Sequence, residues 1–205
     1  GQGKELLLNG AQELRARAGI GFIGELSFLS AMIAVGMAPE LAVESWVGPL
    51  DGIQDFELGT GAVEVKSTIS YAGFPARIGS LEQLDDAVRQ PLFVAANRLR
   101  PMASGKNLPD FVSDVRTATA GNGGAESLLA DRLLAAGYFD AHVDRYARRF
   151  ELAATRVIQV GDGFPRLTAG IVPLGILKAM YEIDLDKVSG ESIRCECALK
   201  KLGVI

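Results

Sequence analysis

Gln54-Asp55-Phe56-Glu57-Leu58-Gly59-Thr60-Gly61-Ala62-Val63-Glu64-Val65-Lys66-Ser67 is the stretch from which the rest of the chain is read. Alternating apolar and charged residues flank a Gly-Thr-Gly turn signal, the pattern of a β-hairpin with one buried face. With Thr60 and Gly61 as the two-residue turn, Asp55 lies opposite Lys66 and Glu57 opposite Glu64. Opposed residues share a face. Asp55, Glu57, Glu64 and Lys66 therefore collect on one side, while Phe56, Leu58, Val63 and Val65 turn into a core. A slip of one residue would part Asp55 from Glu64 and Lys66. Most charged strand faces are simply solvated and hold cross-strand ion pairs, and that alternative stays open here.

Upstream, residues 18 to 38 form an apolar run whose only charge is Glu25. Its length would cross a bilayer, but its glycines, its serines and the mid-segment carboxylate suit a buried helix better. A helix apolar all round is buried, so Gly21 to Val35 is expected inside the fold and Leu6 to Arg17 as a separate helix before it. Glu25 then needs a polar partner or a metal within the protein. Gly19, Gly21 and Gly24 spell a dinucleotide-binding fingerprint, yet helix-forming sequence precedes them where that fingerprint needs a strand. Close packing, and a break between the two helices, is the expected use of these glycines.

Downstream, strands are expected at Asp55–Leu58, Ala62–Ser67 and Ala76–Gly79. A helix over Leu81–Val88, capped by Ser80 and stopped by Pro91, leads to a buried strand at Leu92–Leu99. Helices follow at Asp110–Ala118 and Ala125–Ala136, the latter closed by Gly137, and then strands at Phe150–Val160 and Met180–Leu185. Helix, three strands, helix and strand make a mixed α/β core. The Gly121-Asn122-Gly123-Gly124 loop lacks the Lys-Ser/Thr of a phosphate-binding loop and reads as a linker.

The 205 residues and 48% hydrophobic content suffice for one domain with a sizeable core. A net charge of −4 gives no long-range attraction for nucleic acid, so such contact needs a local basic patch. Arg98, Arg100, Arg145, Arg148 and Arg149 are the candidates, with Tyr146 and Phe150 as rings that could stack on bases; a solvated face and core packing are the plainer readings. Cys195 and Cys197 are too few for a disulfide framework, which suggests a reducing, cytoplasmic setting. With His142 they would make at most part of a zinc site.

Asp55 and Glu64 are hard oxygen ligands suited to one or two Mg²⁺ ions, with the Val65 carbonyl as a further ligand. Phosphodiester hydrolysis uses such a site: the metal activates water, Lys66 orients it or stabilises charge on phosphorus, and Glu25 assists from its helix. Asp55 followed by Glu64-x-Lys66 resembles the PD-(D/E)XK nuclease superfamily, with Glu25 in the place of its helical acidic residue. The likeness extends through Gly-x-x-Gly-Glu-Leu at Gly21 to Leu26, Trp46-x-Gly-Pro, Gln54-Asp55-Phe56 and Val63 to Thr68. It continues in Ile78-x-Ser-Leu-Glu-Gln-Leu, Leu133 to Tyr138 and Phe164-Pro165-Arg166-Leu167.

Together these resemble a prokaryotic branch usually labelled PD-(D/E)XK motif proteins. The resemblance implies a restriction-endonuclease-like αβββαβ core with a mixed central sheet over about residues 18–100, and a helical and strand accessory region over about 101–205 of the same domain. It further implies catalytic roles for Glu25, Asp55, Glu64 and Lys66, and Mg²⁺ dependence with Mn²⁺ able to substitute. DNA is the expected substrate, in a restriction or antiphage defence setting, with partner subunits or a second copy of the chain as further partners and no membrane. Glu57 is an accessory candidate, and Gln83 matches loosely a polar position near such sites. Gln54 departs from the proline of the superfamily's name. The competing reading is a nuclease fold retained for binding or assembly, with little turnover of its own.

Overall fold

The computed structural model describes residues 19–205, so the helix expected over Leu6–Arg17 lies outside the described residues. Residues 19–34 are helical (α1). Its inward positions Ile23, Leu26, Phe28, Leu29 and Met32 are almost fully buried, and among the described residues no helix is long and apolar enough to cross a membrane. A short helix α2 (Pro39–Ser45) follows, with proline in its first turn where the missing N–H costs nothing.

Five strands form the central sheet: β1 (Phe56–Leu58), β2 (Gly61–Thr68), β4 (Leu92–Lys106), β5 (Phe150–Gln159) and β7 (Ser192–Ile193), in the order β1-β2-β4-β5-β7. β2 and β4 run parallel and the other neighbours antiparallel, so the sheet is mixed as expected. Strand β3 (Pro75–Ile78) does not join it but pairs with β6 (Tyr181–Asp184) in a separate ribbon. One face of the sheet, including Phe56, Val63, Val65, Phe93 and Ala95, packs on α1 and α2 and on α3 (Leu108–Thr119), α4 (Gly123–Ala135) and α5 (Cys195–Leu202). The other face, with Ala62, Leu92, Val94 and Ala96, packs on the β3–β6 ribbon and Leu84. This is an α/β fold of restriction-endonuclease-like type.

The hairpin differs from expectation in register. Phe56 pairs with Val63, Glu57 with Ala62 and Leu58 with Gly61, so the turn is Gly59-Thr60. Gly59 has φ +57, which glycine adopts without the penalty threonine would meet at the first turn position. The offset is two residues and keeps the faces, but it sets Asp55 level with Glu64 instead of Lys66.

The helix expected over Leu81–Val88 does not form; the segment is turns and bends. Gln83 N–H reaches the Ser80 hydroxyl as a cap would, at 3.3 Å. The segment is instead held by distant side chains and a tight turn: Gln54 donates to the carbonyls of Glu82 and Gln83 and Arg166 to that of Leu84, while the Asp85 N–H closes a turn on the Glu82 carbonyl at 3.1 Å. The boundary expected near residue 100 falls inside β4, and β5 from the C-terminal half pairs along it from Phe93 to Lys106.

Helices α3 and α4 form where expected, each opened by an asparagine cap, Asn107 and Asn122, whose side chain accepts a backbone N–H three residues on. Gly137 follows α4 at φ +81.

Candidate active site

The site lies where α1 meets the edge of β2 beyond the end of β1. Gly24 makes that approach close: a Cβ there would strike the Ser67 hydroxyl and come within 3.2 Å of the Asn97 amide and 3.3 Å of Val65. The fingerprint glycines are thus helical, and Gly24 is a packing residue, as expected. One residue on, Glu25 turns its Oε1 to accept from the indole N–H of the fully buried Trp46 at 3.1 Å. Gly48 follows in the same loop, and any Cβ there would strike Glu25 Oε1 and lie 3.1 Å from Asp55 Oδ1. Both carboxylates therefore close on one point over a glycine.

Asp55 is fixed from the strand side. Its Oδ2 accepts the Val65 N–H at 2.8 Å, a bond that β1 would have made had it run further. In a strand the N–H and C=O of one residue point to the same side, so the Val65 carbonyl also faces the Asp55 edge. Glu64 is buried behind them at 4% exposure, with Oε1 3.2 Å from Lys66 Nζ. Its other oxygen, Oε2, has no hydrogen-bond partner. A buried carboxylate oxygen left unpaired is costly in a folded protein.

Burial raises all three acids, and repulsion from Asp55 adds to it at Glu25 and Glu64. Glu25 is pushed up to about 9, first by burial and next by Asp55, with the Trp46 N–H pulling the other way. Glu64 is pushed up to about 8 by burial and then by Asp55, against the opposing pull of Lys66. Asp55 is raised by burial, while the Val65 N–H and the Lys66 charge hold it down. Burial first, and repulsion from Asp55 second, keep Glu25 and Glu64 protonated near neutrality.

Of the expected site residues, Glu25, Asp55, Glu64 and Lys66 come together here. Glu57 does not: level with Ala62, it is exposed and pairs with Arg89 at 3.4 Å. Gln83 turns away to accept the Gly79 N–H at 3.0 Å. Trp46 and Gly48 belong to the site's machinery and were not singled out as such from sequence. An indole N–H buried in an apolar setting must find an acceptor, and Glu25 was already in need of a donor.

Glu25, Gly48 and Asp55 open onto a cleft of about 1120 Å³ whose other lining includes Tyr138, Phe139, His142, Arg145, Tyr146 and Arg148. Tyr138 and Tyr146 stack at 5.7 Å, and Phe22 links Trp46 at 5.8 Å to Tyr138 at 6.4 Å. Phe150 is buried with the Arg148 guanidinium over its ring at 5.0 Å. The other basic candidates are neutralised: Arg98 by Asp186, Arg100 by Glu151 and Arg149 by Asp110. Lys106 and Arg116 likewise pair with Asp114 and Asp140. Among the described residues, Arg145 and Arg148 have no carboxylate partner. No three His, Cys, Asp or Glu side chains among the described residues form a ready-made metal cage, which leaves the partial zinc site without support. Both cysteines are free thiols.

No curated protein and no solved structure matches the chain. Over residues 4–186 it matches the family described as "Putative PD-(D/E)XK family member, (DUF4420)". That span takes in the helix bearing Glu25, the Asp55 loop, the Glu64-Val65-Lys66 strand and the aromatic wall of the cleft, and the chain belongs to this PD-(D/E)XK nuclease-like family.

Proposed function

We propose that the chain is a divalent-metal-dependent nuclease that hydrolyses phosphodiester bonds in nucleic acid, DNA in the first instance. The observation that carries this reading is the unpaired, buried Oε2 of Glu64 behind Asp55, which itself lines a cleft that also holds Arg145 and Arg148. Three buried carboxyls gathered around the single ammonium of Lys66 are a poor structural device and a good metal site.

The donor set fits magnesium, with Mn²⁺ able to replace it: Asp55, Glu64 and the Val65 carbonyl offer only hard oxygen donors, and Asp55 opens onto the cleft. When bound, such an ion polarises a phosphate oxygen and makes water a stronger nucleophile. The chain's own groups then have distinct tasks. Lys66, fixed on Glu64, presents a cation to the phosphate or to the attacking water and stabilises negative charge as it develops on phosphorus. Glu25, whose proton is held up to about 9, is placed to hold or pass a proton beside Asp55. Trp46 steadies Glu25 through its N–H.

Free thiols at Cys195 and Cys197 support a cytoplasmic setting, and a role in restriction or antiphage defence is what the family resemblance implies. Association with partner subunits or a second copy belongs to the same reading. The competing view, a nuclease fold kept for binding or assembly, has the net charge of −4 in its favour. The test is cleavage of labelled DNA in Mg²⁺ and in Mn²⁺. Lys66→Ala or Asp55→Ala should abolish cleavage, by at least about 10²-fold for the loss of one charge-stabilising group, while circular dichroism stays native. Undiminished cleavage by a well-folded Lys66→Ala protein would refute the assignment.

A further inference from the structure

We infer that the cleft takes a single-stranded segment of nucleic acid in preference to a duplex, with Arg145 and Arg148 on its phosphates and the exposed Phe139 ring, or Tyr146, against a base. This rests on the nuclease reading of the same site and adds the form of the substrate to it.

Charge is the first support. Duplex affinity without sequence preference comes from many cations spread along both phosphate backbones. Here Arg149, Arg116 and Lys106, which flank the cleft, are each occupied by a carboxylate, and the whole chain is acidic. Arg145 and Arg148 line the cleft itself, are exposed, and have no carboxylate partner among the described residues. Two cations in a concavity neutralise a short run of one strand, not the two backbones of a helix.

The lining is the second support. Phe139 is 44% exposed and meets His142 edge to face at 5.5 Å, while Tyr146 stacks on Tyr138 beside them. Base faces stacked inside a duplex cannot use such rings; unpaired bases can, and cations interleaved with aromatic rings are the usual platform for a single strand. Phe139 and Tyr146 line the same cleft as Glu25 and Asp55, and behind that wall the buried Tyr138 packs through Phe22 on the buried Trp46, whose indole holds Glu25. A strand seated on the exposed rings therefore lies in the concavity onto which the carboxylates open.

The test is fluorescence anisotropy with the full chain in Ca²⁺, using a labelled DNA strand, an RNA strand of the same sequence and the matching DNA duplex. The single-stranded probes should bind at least about tenfold more tightly than the duplex, and the better of the two identifies the sugar. The slope of log affinity against log salt should be near −1.4, about −0.7 for each of two phosphates. Arg145→Ala with Arg148→Ala should weaken strand binding about tenfold and bring that slope toward zero. Phe139→Ala, at an exposed position that leaves the core intact, should weaken it without changing the slope. Duplex binding as tight as single-strand binding, or affinity unmoved by the paired arginine substitutions, would overturn the inference. Because binding is read without turnover, strand preference with no cleavage in Mg²⁺ would refute the nuclease reading alone, and cleavage with duplex preference would refute this inference alone.

Discussion

Glu64 is buried, carries one oxygen on Lys66 and leaves the other unpaired, so its charged form is poorly housed in the metal-free protein. Its carboxyl is held to about 8 against an ordinary 4.5, and that of Glu25 to about 9. Between those limits the folded chain keeps protons that the unfolded chain has released. The stability they contribute is complete below pH 4.5 and is lost as the pH rises through 8 and 9. In EDTA the melting temperature should therefore fall by several degrees between pH 6 and pH 9, since about 1 kcal/mol moves a chain of this size by about 2–4 °C. Glu64→Gln, which cannot ionise, should flatten that decline, and a melting temperature that climbs across the window would contradict this electrostatic picture. The acids of this group were legible in sequence because a carboxylate in an apolar helix and charges alternating in a hairpin are conspicuous. Trp46 and Gly48 were not, since nothing local marks a residue whose work is to donate to, or make room for, a side chain brought from another element.

At the scale of elements, helices α1, α3 and α4 follow from periodicity and most strands lie within a few residues of where the sequence puts them, whereas the short α2, β7 and α5 carry too few residues to show a period. Two departures have different origins. The hairpin turn moved to Gly59 because φ +57 favours glycine at its first position, a local backbone preference. The Leu81–Val88 segment is instead tied by Gln54 and Arg166 to distant elements, and there long-range partners decided what local propensity had left close. Strand β3 escaped the central sheet for a similar reason: its partner, β6, lies about a hundred residues further on. The docking of α1 on β2 is the contact that sets the site, and Gly24 is its narrowest point. Gly24→Ala should destabilise the fold by about 1–3 kcal/mol through overpacking, less about 1 kcal/mol gained in helix propensity. Urea unfolding measures it. Part of the loss should return when Ser67→Ala is added, because the Ser67 hydroxyl is the nearest atom. A Gly24→Ala protein more stable than the parent would show that the helix has room to move.

The whole molecule is acidic, neutralises most of the cations near its cleft, and keeps two arginines inside it. Composition alone argued against a nucleic-acid enzyme, and the arrangement of ion pairs, which no sequence displays, shows where positive charge is still available. The same acidity, gathered at Glu25, Asp55 and Glu64, is what a divalent cation would relieve. Ligands must shed their protons to bind it, so association near neutral pH should release protons to the buffer. Titration calorimetry with Mg²⁺ at pH 7, in two buffers of different ionisation enthalpy, measures this directly. The account predicts saturable binding in the millimolar range or tighter, a heat that differs between the buffers by the protons released, and loss of both in Asp55→Asn. No binding at ten millimolar Mg²⁺ or Mn²⁺, or binding unchanged in Asp55→Asn, would contradict it.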